Sequence, residues 1–133
     1  MIYLDSSALL KLIVDEPESA PLAEWLAERP ESAVASSELA RVEVLRACRR
    51  VAPSALPTAR ELLSGLDLVP LSGSVIDMAA ELEGETLRSL DALHLASALA
   101  VRTALEVFVA YDTRLQSGAA AAGLPTTAPG VPE

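Results

Sequence analysis

An α/β domain with a mainly parallel sheet is what this sequence predicts, and three observations predict it. Short runs such as Met1 to Leu4 and Val107 to Tyr111 have the length and unbroken apolarity of strands covered on both faces. Longer stretches between such runs carry apolar residues at helical spacing. The two kinds alternate along the chain, which is the pattern of strand–helix–strand units. At 133 residues and 51% hydrophobic, the chain suffices for one buried core, and one domain over 1–133 is expected.

The elements follow in order. The first run ends at Asp5, and Ala8 to Leu12 reads as a helix that the Ser6 or Ser7 hydroxyl can cap. Lys11, the only lysine, reads as a solvated helix residue. Pro17 and the acids around it break the chain, and Glu18 to Glu28 is helical until Pro30 stops it. Ser32 to Ser36 is a short strand. Ser37 then caps a helix reaching about Val51, with Leu39, Val42, Leu45 and Cys48 as its apolar stripe. Pro53 and Pro57 bracket a turn before a helix from Thr58 to Leu66, which ends near Gly65. Leu68 to Leu71 is a strand near an edge, because Pro70 cannot donate to a ladder. Ser74 to Leu87 is helical, and Ser89 caps the apolar helix Asp91 to Leu105. After the strand at Val107 comes a helix from Thr113 to Ala122, closed by Gly123, and a last strand within Leu124 to Ala128.

The net charge of −9 speaks against a general binder of polyanions, and 3% aromatic residues leave no platform for stacking bases. Handling nucleic acid would need cations or a local basic patch. Arg41, Arg46, Arg49 and Arg50 hold four of the ten basic residues within ten positions. Cys48 is the single cysteine, which excludes an internal disulfide or a Cys-based zinc site. No apolar run reaches the length of a membrane span, and no basic region precedes the first apolar stretch. A reducing cytoplasm is the expected home.

Four acids stand out by position. Asp5 and Asp112 each end a buried strand, Asp91 opens an apolar helix, and Glu43 sits in mid-helix between two valines. In a doubly wound sheet the two strand-end acids share one edge, where ligands bind. Carboxylates gathered there suit a hard divalent cation, Mg²⁺ or Mn²⁺. Such an ion lowers the pKa of bound water, holds charge on a phosphodiester, and reverses the local field of an acidic protein. The three aspartates also have a plainer reading, Asp5 and Asp91 as helix-start residues and Asp112 as a turn residue. Glu38 rivals Glu43, yet it lies in a first helical turn where the dipole accounts for it. His94, three positions after Asp91, has the chemistry of a metal ligand or general base, but a lone histidine on an apolar helix reads rather as a core residue with one hydrogen bond. Arg46, three after Glu43, either guides phosphates or pairs with Glu43, and Arg114 is a similar case. Other acid-pocket classes fit poorly. A haloacid-dehalogenase-type phosphotransferase needs Asp where Ser7 stands, and a receiver domain needs a late lysine.

Four blocks bear these acids in order: Tyr3-Leu4-Asp5-Ser6-Ser7-Ala8-Leu9, Ser36 to Arg46 around Glu43, Leu90-Asp91-Ala92-Leu93-His94-Leu95-Ala96-Ser97-Ala98, and Tyr111-Asp112-Thr113-Arg114-Leu115. They resemble PIN domains, specifically the VapC-type toxins of toxin–antitoxin pairs. The resemblance spans nearly the whole chain. It implies a PIN-like three-layer α/β/α sandwich with about five short strands. It also implies an Mg²⁺- or Mn²⁺-dependent endoribonuclease whose metal site is Asp5, Glu43, Asp91 and Asp112, with Ser6 and Ser7 behind them. Arg46 and Arg114 are then candidates for RNA contact. A homodimer, inhibition by a cognate VapB-type antitoxin and a higher assembly with it are implied as partners. The family often has Thr or Ser two residues before the fourth acid, and Ala110 stands there, so either Ser6 or Ser7 serves instead or the site is weaker. The alternatives are a PIN nuclease of RNA processing or decay, and a PIN-like module without catalysis.

Overall fold

The computed structural model describes residues 1–132. Its elements are β1 (Ile2–Leu4), α1 (Ser6–Lys11), α2 (Ser19–Ala27), β2 (Val34–Ser37), α3 (Ala40–Val51), a 3₁₀ turn (Pro53–Ala55), α4 (Leu56–Ser64), β3 (Asp67–Val69), α5 (Gly73–Glu81), α6 (Ser89–Ala100), β4 (Val107–Val109), α7 (Thr113–Ala121) and β5 (Thr126–Thr127). The five strands form one sheet in the order β3-β2-β1-β4-β5, and every pairing is parallel.

β1 lies at the centre because all its residues are apolar and both its faces are covered. Alternation splits them. Ile2 and Leu4 join one core with Leu9, Leu22, Val44, Cys48 and Leu63, so α1 to α4 cover that face. Tyr3 joins the other with Phe108, Leu95, Ala98, Leu115 and Ala119, under α6 and α7. This is the expected three-layer sandwich. The chain leaves β1 toward β2 and β3, then returns to β4 on the opposite side. The order therefore reverses between β1 and β4, and a crevice opens past their carboxyl ends.

Several boundaries differ from the sequence reading. α1 is capped by Asp5, whose carboxylate accepts the Ala8 amide, and not by Ser6 or Ser7. Ser37 belongs to β2 and accepts the Leu39 amide in the turn before α3. The buried stripe of α3 is Ala40, Val44 and Cys48, at intervals of four, whereas Val42 is 57% exposed. The expected stripe follows intervals of three, whereas the buried residues recur at four, so Val42 falls on the opposite side of the helix. Pro57 sits in the first turn of α4, where a missing amide hydrogen costs nothing. α5 stops at Glu81, well before Leu87, because Leu82 is extended and Gly84 takes φ +143°. α6 starts at Ser89 with Arg88 as its cap residue and ends at Ala100, short of Leu105. Lys11 is buried and not solvated. Its ammonium meets Glu16 at 3.0 Å and Glu18 at 3.4 Å, and lies over the Tyr111 ring.

Candidate active site

Two strand ends and two helices bring the singled-out acids to the crevice in two groups. The first is Asp5 with Glu43. Asp5 follows β1 and is 4% exposed. Its Oδ1 accepts the Ser7 hydroxyl at 2.7 Å and the Ala8 amide at 2.9 Å, and among the described residues no donor bonds Oδ2. Burial pushes this carboxyl above its ordinary range, and the Glu43 charge adds to the rise. The Ser7 and Ala8 bonds oppose it without cancelling it. Glu43 projects from α3 to meet α1 and α6. Its Oε1 accepts the Ser6 hydroxyl at 2.6 Å and stands 2.7 Å from His94 Nε2. Burial works against the Glu43 carboxylate too, but the bonds from His94 and Ser6 outweigh it and hold the group low.

The second group is Asp112 with Asp91. Asp112 caps α7, its Oδ1 accepting the Arg114 amide at 2.8 Å. The Arg114 guanidinium closes on the same carboxylate, reaching Oδ2 at 2.8 Å and Oδ1 at 3.3 Å. That bond foremost holds the Asp112 carboxyl below its ordinary value. Asp91 lies in the first turn of α6, and its Oδ2 accepts the Arg88 amide at 3.2 Å. The Asp91 charge, after that of Asp112, also favours the Arg114 cation. Ser7 joins the groups, because its hydroxyl oxygen accepts the Tyr111 amide at 3.3 Å while bonding Asp5. A serine of α1 thus stands between the ends of β1 and β4, beside an Ala110 that brings no hydroxyl.

As they lie, these side chains do not form one coordination shell. Among the described residues, no three of the His, Cys, Asp and Glu side chains are grouped closely enough to hold a metal ion. The plainer readings of Asp91 and Asp112 are realised, since both cap helices. The donor set nevertheless fits a hard divalent ion in kind. All four groups offer carboxylate oxygens, and Asp5 buries a charge that its own hydrogen bonds leave undercompensated. Asp112 would have to leave Arg114 to join a shell.

Arg46 is exposed and makes no ion pair with Glu43. It lines a surface groove with Arg41, Val42, Leu45 and Arg49. Arg114 stands at the crevice itself. His94 is the core histidine that the sequence suggests, but it has more partners than the one hydrogen bond expected. It is 3% exposed and has three side-chain partners: Tyr3, Ser6 and Glu43. Its spacing of three from Asp91 was the available signal, since one helical turn carries both toward the same end of the sheet.

Comparison with known proteins agrees with this architecture. The family model of the PIN domain matches residues 2–120. Ribonuclease VapC47 of Mycobacterium tuberculosis is 45% identical over 133 residues, covering 98% of each chain. The chain belongs to the PIN-domain family, and within it to the VapC-type ribonucleases. The fold is that of M. tuberculosis VapC20, described as a toxin that cleaves the sarcin–ricin loop, with a TM-score of 0.75 at 17% identity over 97% of this chain and 100% of the other. A toxin–antitoxin complex from Klebsiella pneumoniae matches with a TM-score of 0.69 at 21% identity, over 89% of this chain and 92% of the other.

Proposed function

We propose that this ribonuclease cleaves cellular RNA with Mg²⁺ or Mn²⁺ and acts as the toxin of a type II toxin–antitoxin pair. The observation that carries the reading is Asp5. It is a carboxylate almost wholly out of water, tied through one oxygen only, with the Glu43 charge beside it, at the switch point of a parallel sheet. Such a site is costly until a cation enters it. Asp5, Glu43, Asp91 and Asp112 would hold the ion. Bound there, it makes a coordinated water acidic and offsets charge on the scissile phosphate.

The chain's own residues set the geometry. Ser7 holds Asp5 through Oδ1 and ties the end of β4 to the end of β1. Ser6 does the same for Glu43. Arg114, once released from Asp112, offers a forked donor to phosphate oxygens, and Arg46 meets the backbone further along the groove. An acidic protein of net charge −9 suits an inhibitor that brings a basic residue to the crevice, so a cognate VapB-type antitoxin is the proposed partner. A homodimer, enlarged by the antitoxin, is the proposed assembly.

One observation favours a catalytically inert module, namely the grip of Arg114 on Asp112. One experiment separates the readings. Purified protein is incubated with total RNA, with and without Mg²⁺, and new ends are mapped. Discrete ends that need the ion and vanish in Asp5→Ala/Asp112→Ala support the proposal. Equal cleavage by the double variant or in EDTA overturns it. No metal binding at millimolar concentration would establish the inert module. Growth arrest on expression, relieved by the product of an adjacent reading frame, distinguishes a toxin from a nuclease of RNA processing.

A further inference from the structure

The four acids leave His94 without a task, yet it is the most connected polar side chain of the interior. It is the only histidine of the chain. Its Nδ1 lies 2.8 Å from the Tyr3 hydroxyl, and its Nε2 lies 2.7 Å from Glu43 Oε1 and 3.1 Å from Ser6 Oγ. Tyr3 cannot drift, because it is fully buried in β1 and stacks on Phe108 with ring centres 5.1 Å apart. The His94 ring stands edge-on to Tyr3, at 80°. Three elements, each distant in sequence from His94, therefore pin one imidazole.

Counting protons gives the direction of each bond. An ionised Glu43 only accepts, so Nε2 must carry a hydrogen to approach Oε1 at 2.7 Å. In the neutral ring, Nδ1 is then the acceptor, and the Tyr3 hydroxyl donates to it. Ser6 donates to the same Oε1. Two donors converge on one oxygen of Glu43, and among the described residues none bonds Oε2.

We propose that His94 is a positioning residue. Held from behind by Tyr3 and flanked by Ser6, it fixes Glu43 through Oε1 and leaves Oε2 to coordinate the cation. The inference rests on the metal-dependent reading given above. It adds that the one-turn spacing of Asp91 and His94 on α6 supplies one acid directly and orders another through a histidine. Partners behind a ligating group set its orientation, and removing them weakens metal binding about 10- to 100-fold.

Two measurements test it. In metal-free wild-type protein, long-range ¹H–¹⁵N NMR of the lone histidine should show Nε2 protonated. In Tyr3→Phe, Nδ1 should shift as it loses its donor. An unprotonated Nε2, or a ring averaging between tautomers, overturns the proposal without any metal present. Calorimetry with Mn²⁺ then compares wild type, His94→Gln and His94→Leu, with melting curves on each. Gln retains an N–H for Oε1 and should bind within a few-fold of wild type, whereas Leu should bind about 10- to 100-fold more weakly. Equal affinity in the Leu variant overturns the proposal. If wild type itself binds no Mn²⁺, the metal-dependent reading fails, and the NMR result still decides whether His94 orders Glu43.

Discussion

Replacing Asp5 by Asn separates what this side chain does in the crevice from what it costs the fold. The carboxylate is 4% exposed, with both its bonds on Oδ1. Burial is the largest influence on it and raises its pKa, the Glu43 charge adds to that, and the Ser7 and Ala8 bonds only partly compensate. Its folded pKa thus lies above the unfolded one. A group shifted in that direction contributes stability below its unfolded pKa, and loses it as pH rises through the folded pKa. At neutral pH the ionised Asp5 is therefore a burden on the metal-free protein. Asn keeps Oδ1, and with it the bonds to Ser7 and Ala8, but carries no charge. The expected gain is on the order of 1 kcal/mol, the low end of what a buried polar group short of hydrogen bonds costs. For a domain of this size that is roughly 3–5 °C in melting temperature. The assay is thermal melting in EDTA at about pH 8 and about pH 4, the latter near the ordinary Asp value. The variant should melt higher at the upper pH and approach wild type at the lower, where less of wild-type Asp5 is ionised. RNA cleavage with Mg²⁺ should be lost at both. A variant that melts below wild type at the upper pH refutes the claim of an undercompensated charge. So does a gain that ignores pH.

Two further outcomes follow from the second acid group. Asp112→Asn retains an oxygen for the Arg114 and Leu115 amides, so its melting temperature should stay within a few degrees of wild type while RNA cleavage disappears. Asp112→Ala also loses the helix cap, at about 1 kcal/mol, and should melt lower than the Asn variant. Equal melting of the two would show that the cap is unimportant. Arg114→Gln frees the Asp112 carboxylate from its half-buried ion pair. Calorimetric Mn²⁺ affinity should rise by a small factor, as expected when a weak competing surface pair is removed, while cleavage slows if Arg114 meets phosphate. Unchanged affinity would show that Arg114 does not compete with the ion.

β1 and β4 were legible because buried parallel strands announce themselves as unbroken apolar runs. Asp5 follows β1 directly, and Asp112 lies three positions past the end of β4 at Val109. Both flank the reversal between β1 and β4. Helix ends were less legible. The arrest of α5 at Glu81 turns on a glycine at positive φ within a stretch that otherwise looks helical. The stripe of α3 follows intervals of four, Ala40, Val44 and Cys48, where the sequence reading follows intervals of three, and this puts Val42 on the opposite side of the helix.

Taken alone, the order of residues determined the α/β class, the parallel sheet and the places of the four acids along the elements, since these depend on local apolarity and on residues a few positions apart. Tertiary structure alone decided how those acids are held. Glu43 is ordered by Ser6 and His94, 37 and 51 residues away, and His94 by Tyr3, 91 residues away. The reason is physical. Hydrogen bonds require atoms within about 3 Å, and only the packed sheet and helices bring such distant positions to that separation.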